Sequence, residues 1–339
     1  MRVDDHLDEV YGRLAATGPE FDGWLSNHGP MAADALIRMG HAEQVDSWLA
    51  AYTARLEPLP QPCWPIAEEL WREPLGDPSR LGDWLTFFAL EVELRPWDEL
   101  LSVWWPRLLP GGIGGAAHGL IRTGHAVRAL TEADTAPRRK ELAQALGYWA
   151  ARWQPIPGQE RPRGDAPASS ALRLLPTAAA SGGIRERLGA LGREREWPGA
   201  QARLEPVADP AEVPTALDTL VDVTVTRYLS TAGAGPVMLV HASTAPRAAR
   251  LALAALPQDL WVRTYEQAWS IAAAITAVYA APESSSQAPP EDLTEADIAA
   301  GAADHGDEHV IKFTEVAIES HRRNNPDALR AALQARTLI

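Results

Sequence analysis

Nine histidines and a near-absence of lysine define what chemistry this sequence could do. Neutral imidazole is a common ligand for zinc and also suits iron and copper. His118 and His125 lie seven residues apart in an otherwise mostly apolar run. On a helix, seven steps of about 100° nearly return to the starting azimuth, so both rings share one face, about 10 Å apart along the axis. That is too far for both to bind one ion. The reading is one metal ligand and one neighbour that orients it or a substrate. Two buried histidines bonded to backbone are the plain alternative.

His305, His309 and Lys312 follow at i, i+4 and i, i+3 spacing, which on one continuous helix puts all three near one face. The His-Glu-x-x-His order of zinc proteases is absent, because Gly306-Asp307-Glu308 follows His305. Of 31 basic residues only Lys140 and Lys312 are lysines. Lys312 precedes Phe313, Val316 and Ala317, a pattern that expects a partly buried helix. A buried amine tends to lose its proton. It could then act as a Schiff-base former, a general base, or a carbamate with carbon dioxide, roles closed to arginine. A surface lysine paired with Glu308 or Glu315 is the alternative.

His28 sits in Ser-Asn-His-Gly-Pro, where a helix should start near Pro30 or Met31. His241 closes the apolar stretch Val237–Val240. As single residues these read as core or capping histidines as readily as ligands. The glycines of 111–115 lack the preceding strand that a dinucleotide-binding loop requires, so they are expected to allow close helix approach or mobility beside His118. There is no nucleophile elbow and no phosphate-binding loop of the Walker type. Thirteen tryptophans are expected mainly in a helical core.

The elements that must position these residues are helices. Apolar residues recur at helical spacing over 31–39, 43–56, 80–92, 116–130, 138–153, 214–231, 245–256, 261–279, 306–322 and 326–336. Residues 219–226 alternate like a strand, but their flanks favour helix. The expectation is an all-α fold, one large multi-helix domain over 1–339 with a buried central metal site. Pro- and Gly-rich stretches near 154–170, 198–214 and 281–294 are expected to be mobile loops. The chain of 339 residues is 46% hydrophobic with a net charge of −14, which argues against a general nucleic-acid binder while leaving room for a local basic pocket. No apolar run is long enough for a membrane span. The acidic N-terminus gives no sign of a signal peptide, and the lone Cys63 excludes an intrachain disulfide. A cytoplasmic protein is expected.

Four segments in this order change the reading: Asn27-His28-Gly29-Pro30, His118 to Ala126 with Arg122 and His125, His241 with Thr244, and Asp307-Glu-His309-Val-Ile-Lys312. Together they resemble the ordered motifs of the questin oxidase-like family, over about residues 10–325. The resemblance implies a mainly helical fold and a mononuclear non-heme iron(II), held by residues matching His28, His118, His241, His309 and a carboxylated Lys312. It implies oxidation by dioxygen of a small aromatic or quinone polyketide-like substrate in secondary metabolism, by Baeyer–Villiger-type oxidation or ring cleavage, with NADPH as a conceivable reductant. Four imidazoles and one carbamate are donors suited to iron(II), and five monodentate ligands would leave one of six positions open. Fungal members often carry an aromatic residue where this chain has His125. His125, Arg122, Thr244, Asn27 and Asp307 are therefore expected to contact substrate or support the ligands. Two rivals stand beside this reading. One is a zinc or dinuclear metallohydrolase with a carboxylated lysine, recruiting His305, Asp304 or Asp307. The other is a non-catalytic helical binding protein. Oligomeric state is left open.

Overall fold

Sixteen α-helices and one two-residue hairpin make up the regular structure of the described residues, and the fold is all-α. The structure, a computed structural model, describes residues 3–178, 181–283 and 294–339. The chain divides into two compact units, Met1–Pro155 with Leu251–Pro257, and Ile156–Arg250 with Gln258–Ile339. Helical periodicity says which face of a helix is buried, but not which partner buries it.

The first unit holds α1 (Val3–Leu14), α2 (Gly29–Arg38), α3 (Ala42–Thr53), α4 (Leu81–Leu94), α5 (Trp97–Leu108), α6 (His118–Glu132) and α7 (Ala136–Ala151). Helix α7 is its axis: Glu141 to Ala151 are all buried, and α4 and α6 pack along it. A helix apolar nearly all round must be enclosed. Its buried charged groups are paired, Arg138 to Asp8 and Glu141 to Arg122. Trp84, Trp104, Trp105 and Trp149 are fully buried, as expected, whereas Trp24 and Trp64 are exposed.

The glycines of 111–115 are explained by close approach. A Cβ on Gly111 would stand 2.3 Å from the Trp153 ring, and one on Gly114 would stand 1.7 Å from the Arg152 carbonyl oxygen. Helix α6 therefore does not begin at residue 116, as periodicity suggests. Gly115, Ala116 and Ala117 form a left-handed turn, with φ of 55°, 57° and 64°, and His118 opens the helix after it. Each alanine there costs about 1–2 kcal/mol relative to right-handed backbone. Two opposite shifts in a urea midpoint are expected. Gly114→Ala should destabilise by about 1–3 kcal/mol through overpacking. Ala116→Gly should be neutral to mildly stabilising, since relief of the turn outweighs the looser unfolded chain.

The second unit holds α8 (Ala168–Arg173), α9 (Ile184–Leu191), α10 (Trp197–Gln201), α11 (Val213–Thr231), α12 (Pro236–Ala252), α13 (Trp261–Tyr279), α14 (Glu295–His305), α15 (Glu308–Arg322) and α16 (Ala328–Leu338). Helix α11 contacts α8, α13, α15 and α16. Residues 219–226 are helical within it, as their flanks imply. The Pro-rich stretches 154–170 and 198–214 bond to each other: Arg163 N donates to Ala202 O, Gly164 N to Leu204 O, Ala166 N to Arg203 O and Glu205 N to Ala166 O. Of the third stretch, 284–293 lie outside the described residues.

Candidate metal centre

In the first unit, two devices bring His28 and His118 together. Asp22 and Gly23, at φ 49° and 80°, turn a short hairpin in which Glu20 pairs with Ser26 and Phe21 with Leu25. Positive φ at both turn residues is the type I′ geometry that Asp-Gly favours. The chain leaves this hairpin into Asn27, whose side chain donates to Gly18 O (3.1 Å) and accepts from Gly29 N (2.9 Å). Asn27 thus pins the chain at the start of α2, and the His28 N–H donates to Tyr52 Oη at 2.6 Å. The second device is the left-handed turn. It places Gly115 O 2.5 Å from His118 Nδ1. A carbonyl only accepts, so Nδ1 carries a proton, and in the neutral ring Nε2 carries the lone pair. His28 Nε2 faces it at 2.7 Å, with ring centroids 4.4 Å apart, and both residues are buried. Two lone pairs at that distance repel. A proton on His28 Nε2, or a cation, must lie at the junction.

The second unit builds a similar pair. His241 lies inside α12, which starts at Pro236 rather than near 245 as the periodicity suggests. Its Nδ1 is 3.2 Å from Met238 O and donates to it, which in the neutral ring puts the lone pair on Nε2. His309 opens α15, its ring centroid 5.3 Å from that of His241. Asp307 caps α15, accepting from His309 N (2.8 Å) and Val310 N (3.2 Å), and its Oδ1 lies 3.5 Å from His309 Nδ1. Burial would raise the Asp307 carboxyl, but His309 and the cap bonds outweigh it and hold it at about 2. Burial lowers His309, against the pull of Asp307, so its imidazole favours the neutral, ligand-competent form.

Lys312 follows one turn later. It is 1% exposed, and its Nζ has no hydrogen-bond partner among the described residues. Burial lowers it to about 7, against the opposing charges of Glu308 and Asp307. The expectation of a buried, readily neutral amine holds. His305, in contrast, does not share a helix with His309. It ends α14, where Gly306 at φ 76° and the Asp307 cap break the chain, so the i, i+4 chelate reading is corrected. Glycine in the left-handed conformation is the ordinary helix stop, and the sequence Gly-Asp carried that signal.

Each unit thus offers a pair of imidazoles able to act as metal ligands, His28 with His118 in the first and His241 with His309 in the second. Carbonyls or a carboxylate tie Nδ1 in three of the four rings, the arrangement that orients metal-bound histidines.

The remaining expected residues have structural partners. Arg122 is 1% exposed and binds Glu141 through Nε (2.5 Å) and Nη2 (2.7 Å), with Gln144 at 2.9 Å. His125 Nδ1 donates to Asp34 Oδ2 at 2.8 Å. Thr244 Oγ1 donates to Val240 O at 3.2 Å. Asp34, Tyr52 and Glu141 were not singled out from the sequence. Asp34 carried a signal, a carboxylate within Met-Ala-Ala-Asp-Ala-Leu-Ile, where burial demands a cation. Comparison with models of known protein families and with curated proteins returns no match.

Proposed function

We propose that this chain is a cytoplasmic non-heme iron oxygenase that acts on an aromatic or quinone polyketide-like substrate. His28, His118, His241, His309 and carboxylated Lys312 would hold the iron. The observation that carries the reading is the donor set: imidazoles with Nδ1 oriented by protein acceptors, and a buried amine with no hydrogen-bond partner among the described residues. A bound iron would supply activation of dioxygen for Baeyer–Villiger-type oxidation or ring cleavage. The chain's own residues do the rest. Gly115 O and Met238 O keep the Nδ1 protons in place, and Asp307 steers His309. Lys312, about half neutral near pH 7, can add to carbon dioxide: Nζ bonds to carbon, one N–H proton leaves, and the carbamate oxygen becomes an anionic ligand.

Elemental analysis of protein purified without a metal-affinity tag tests this. About one iron per chain is expected, lost in His118→Ala. About two zinc per chain would favour the dinuclear hydrolase, and no metal after iron(II) reconstitution would favour a binding protein. Oxygen uptake with candidate quinones, with and without NADPH, separates monooxygenation, which needs two external electrons, from dioxygenation, which needs none. Asp307→Asn should keep much of the cap yet weaken metal binding about 10–100-fold, because the acceptor that steers His309 loses its charge. Competition with a chelator reads that change directly.

A further inference from the structure

In the second unit, away from the histidines on α12 and α15, a cavity of about 460 Å³ opens over one face of α11. Its size suits a small metabolite. Its lining is unusual for an acidic chain. Arg173, Arg227 and Arg323 all border it, with Asp222 and Glu283 as the acids. Asp222 is committed to Arg323, at 2.5 Å from Nη2, and also accepts from Ser320 Oγ at 2.6 Å. Among the described residues Arg227 pairs only with Glu283, at 2.6 Å from Nη1, and the Glu283 side chain is 51% exposed. Arg173 donates to a serine hydroxyl at 3.3 Å. Among the described residues, then, Arg173 has no ion pair and Arg227 has one, to an exposed carboxylate.

Arg227 Nε is buried without a hydrogen-bond partner among the described residues, as is Tyr228 Oη. Both residues border a second space of about 10 Å³, room for about one water. The Nη1 of Arg227, paired with Glu283 on the wall of the larger cavity, is open to an anion that displaces that carboxylate.

We propose that this cavity binds a small phosphorylated sugar, with Arg227 and Arg173 taking the phosphate. Glu283 stands where the ligand's anion would sit and yields to it. The hydroxyls of Ser169, Thr219 and Thr226 line the remaining wall and suit a hydroxylated body rather than an apolar one. Guanidinium forks match phosphate oxygens bidentately, which favours a phosphate dianion.

Isothermal titration of the full chain at low ionic strength, with ribose 5-phosphate, ribose and inorganic phosphate as probes, tests the assignment. Ribose 5-phosphate should bind more tightly than either fragment. Arg227→Gln should weaken it by about tenfold or more, and Glu283→Gln should tighten it several-fold by removing the internal competitor. Circular dichroism confirms that each variant folds, and the exposed position of Glu283 keeps that arm readable if Arg227→Gln does not. Binding no tighter than that of ribose would overturn the proposal, as would unchanged affinity in Glu283→Gln. Equal affinity for inorganic phosphate would overturn the assignment to a sugar phosphate.

Discussion

Replacing Asp34 by asparagine should destabilise the protein by about 3–5 kcal/mol, the cost of removing one partner from a buried charge network. Asp34 lies on α2 and is 1% exposed. Its Oδ1 accepts from Arg38 Nε at 2.8 Å; its Oδ2 accepts from Arg128 Nη2 at 2.5 Å and from His125 Nδ1. Arg38 keeps Glu132, at 2.7 Å, after the change, but the Arg128–His125 side loses the carboxylate they share. The exposed pair Arg13–Asp46, at 2.8 Å with Asp46 61% exposed, supplies the control: Asp46→Ala should cost under about 1 kcal/mol. Urea unfolding of both variants at pH 7 reads the difference. The pH dependence has a definite sign. Burial would raise the Asp34 carboxyl, but Arg128, the bond from His125 and Arg38 hold it well below the usual carboxylate range. The native state therefore binds this proton less readily than the unfolded state. Its stabilisation is fully present above the ordinary carboxylate pKa and is lost as pH falls through the lowered native value. The gap between wild type and Asp34→Asn should narrow in acid. A constant gap down to pH 2 would contradict this account.

Lys312→Met should separate stability from function. The methionine fills a similar volume, and the substitution removes an amine that is 1% exposed and has no hydrogen-bond partner among the described residues. Burying an amine without a partner is costly, and burial lowers this one to about 7. The metal-free variant should therefore melt at or above the wild-type temperature. If Lys312 carries the anionic ligand, iron occupancy should fall about tenfold or more and oxygen-dependent turnover should vanish. Carbon-13 bicarbonate should give a carbamate resonance in the wild type and none in the variant. Full iron occupancy and turnover in Lys312→Met would remove Lys312 from the centre, whatever its effect on melting. A large loss of stability would instead mark the lysine as structural.

Much of this chain is legible before folding is considered. Periodicity finds α2, α3, α4, α7, α11, α13 and α16 within a few residues, because each repeats its apolar face over several turns. It misses the short α8, α9 and α10, whose few turns give too little pattern, and also α1, α5 and α14, which are three turns long. It places the start of α12 too late, since Pro236 and the apolar run after it read as a strand end as readily as a first helical turn. It starts α6 two residues early, because alanine is the best helix former and propensity does not foresee a left-handed turn of Gly115, Ala116 and Ala117.

The same division runs through the candidate centre. His118 and His125 share a face of α6 by spacing alone, and His309 and Lys312 share a turn of α15, since helix geometry follows from local backbone. Residue types likewise imply neutral imidazoles and a lysine whose burial loosens its proton. The partners of the other expected residues, His125 and Arg122, depend on distant segments. Asp34 meets His125 across 91 residues, and Arg122 meets Glu141 across 19. No local rule links them. A buried charge must find an opposite charge, and which one lies within reach is set by how α2, α6 and α7 pack. Chain order thus names the atoms able to bind a metal, and local backbone orients three of the four rings, because Gly115 O, Met238 O and Asp307 lie two or three residues from the histidines they face; packing alone brings His28 against His118, across 90 residues.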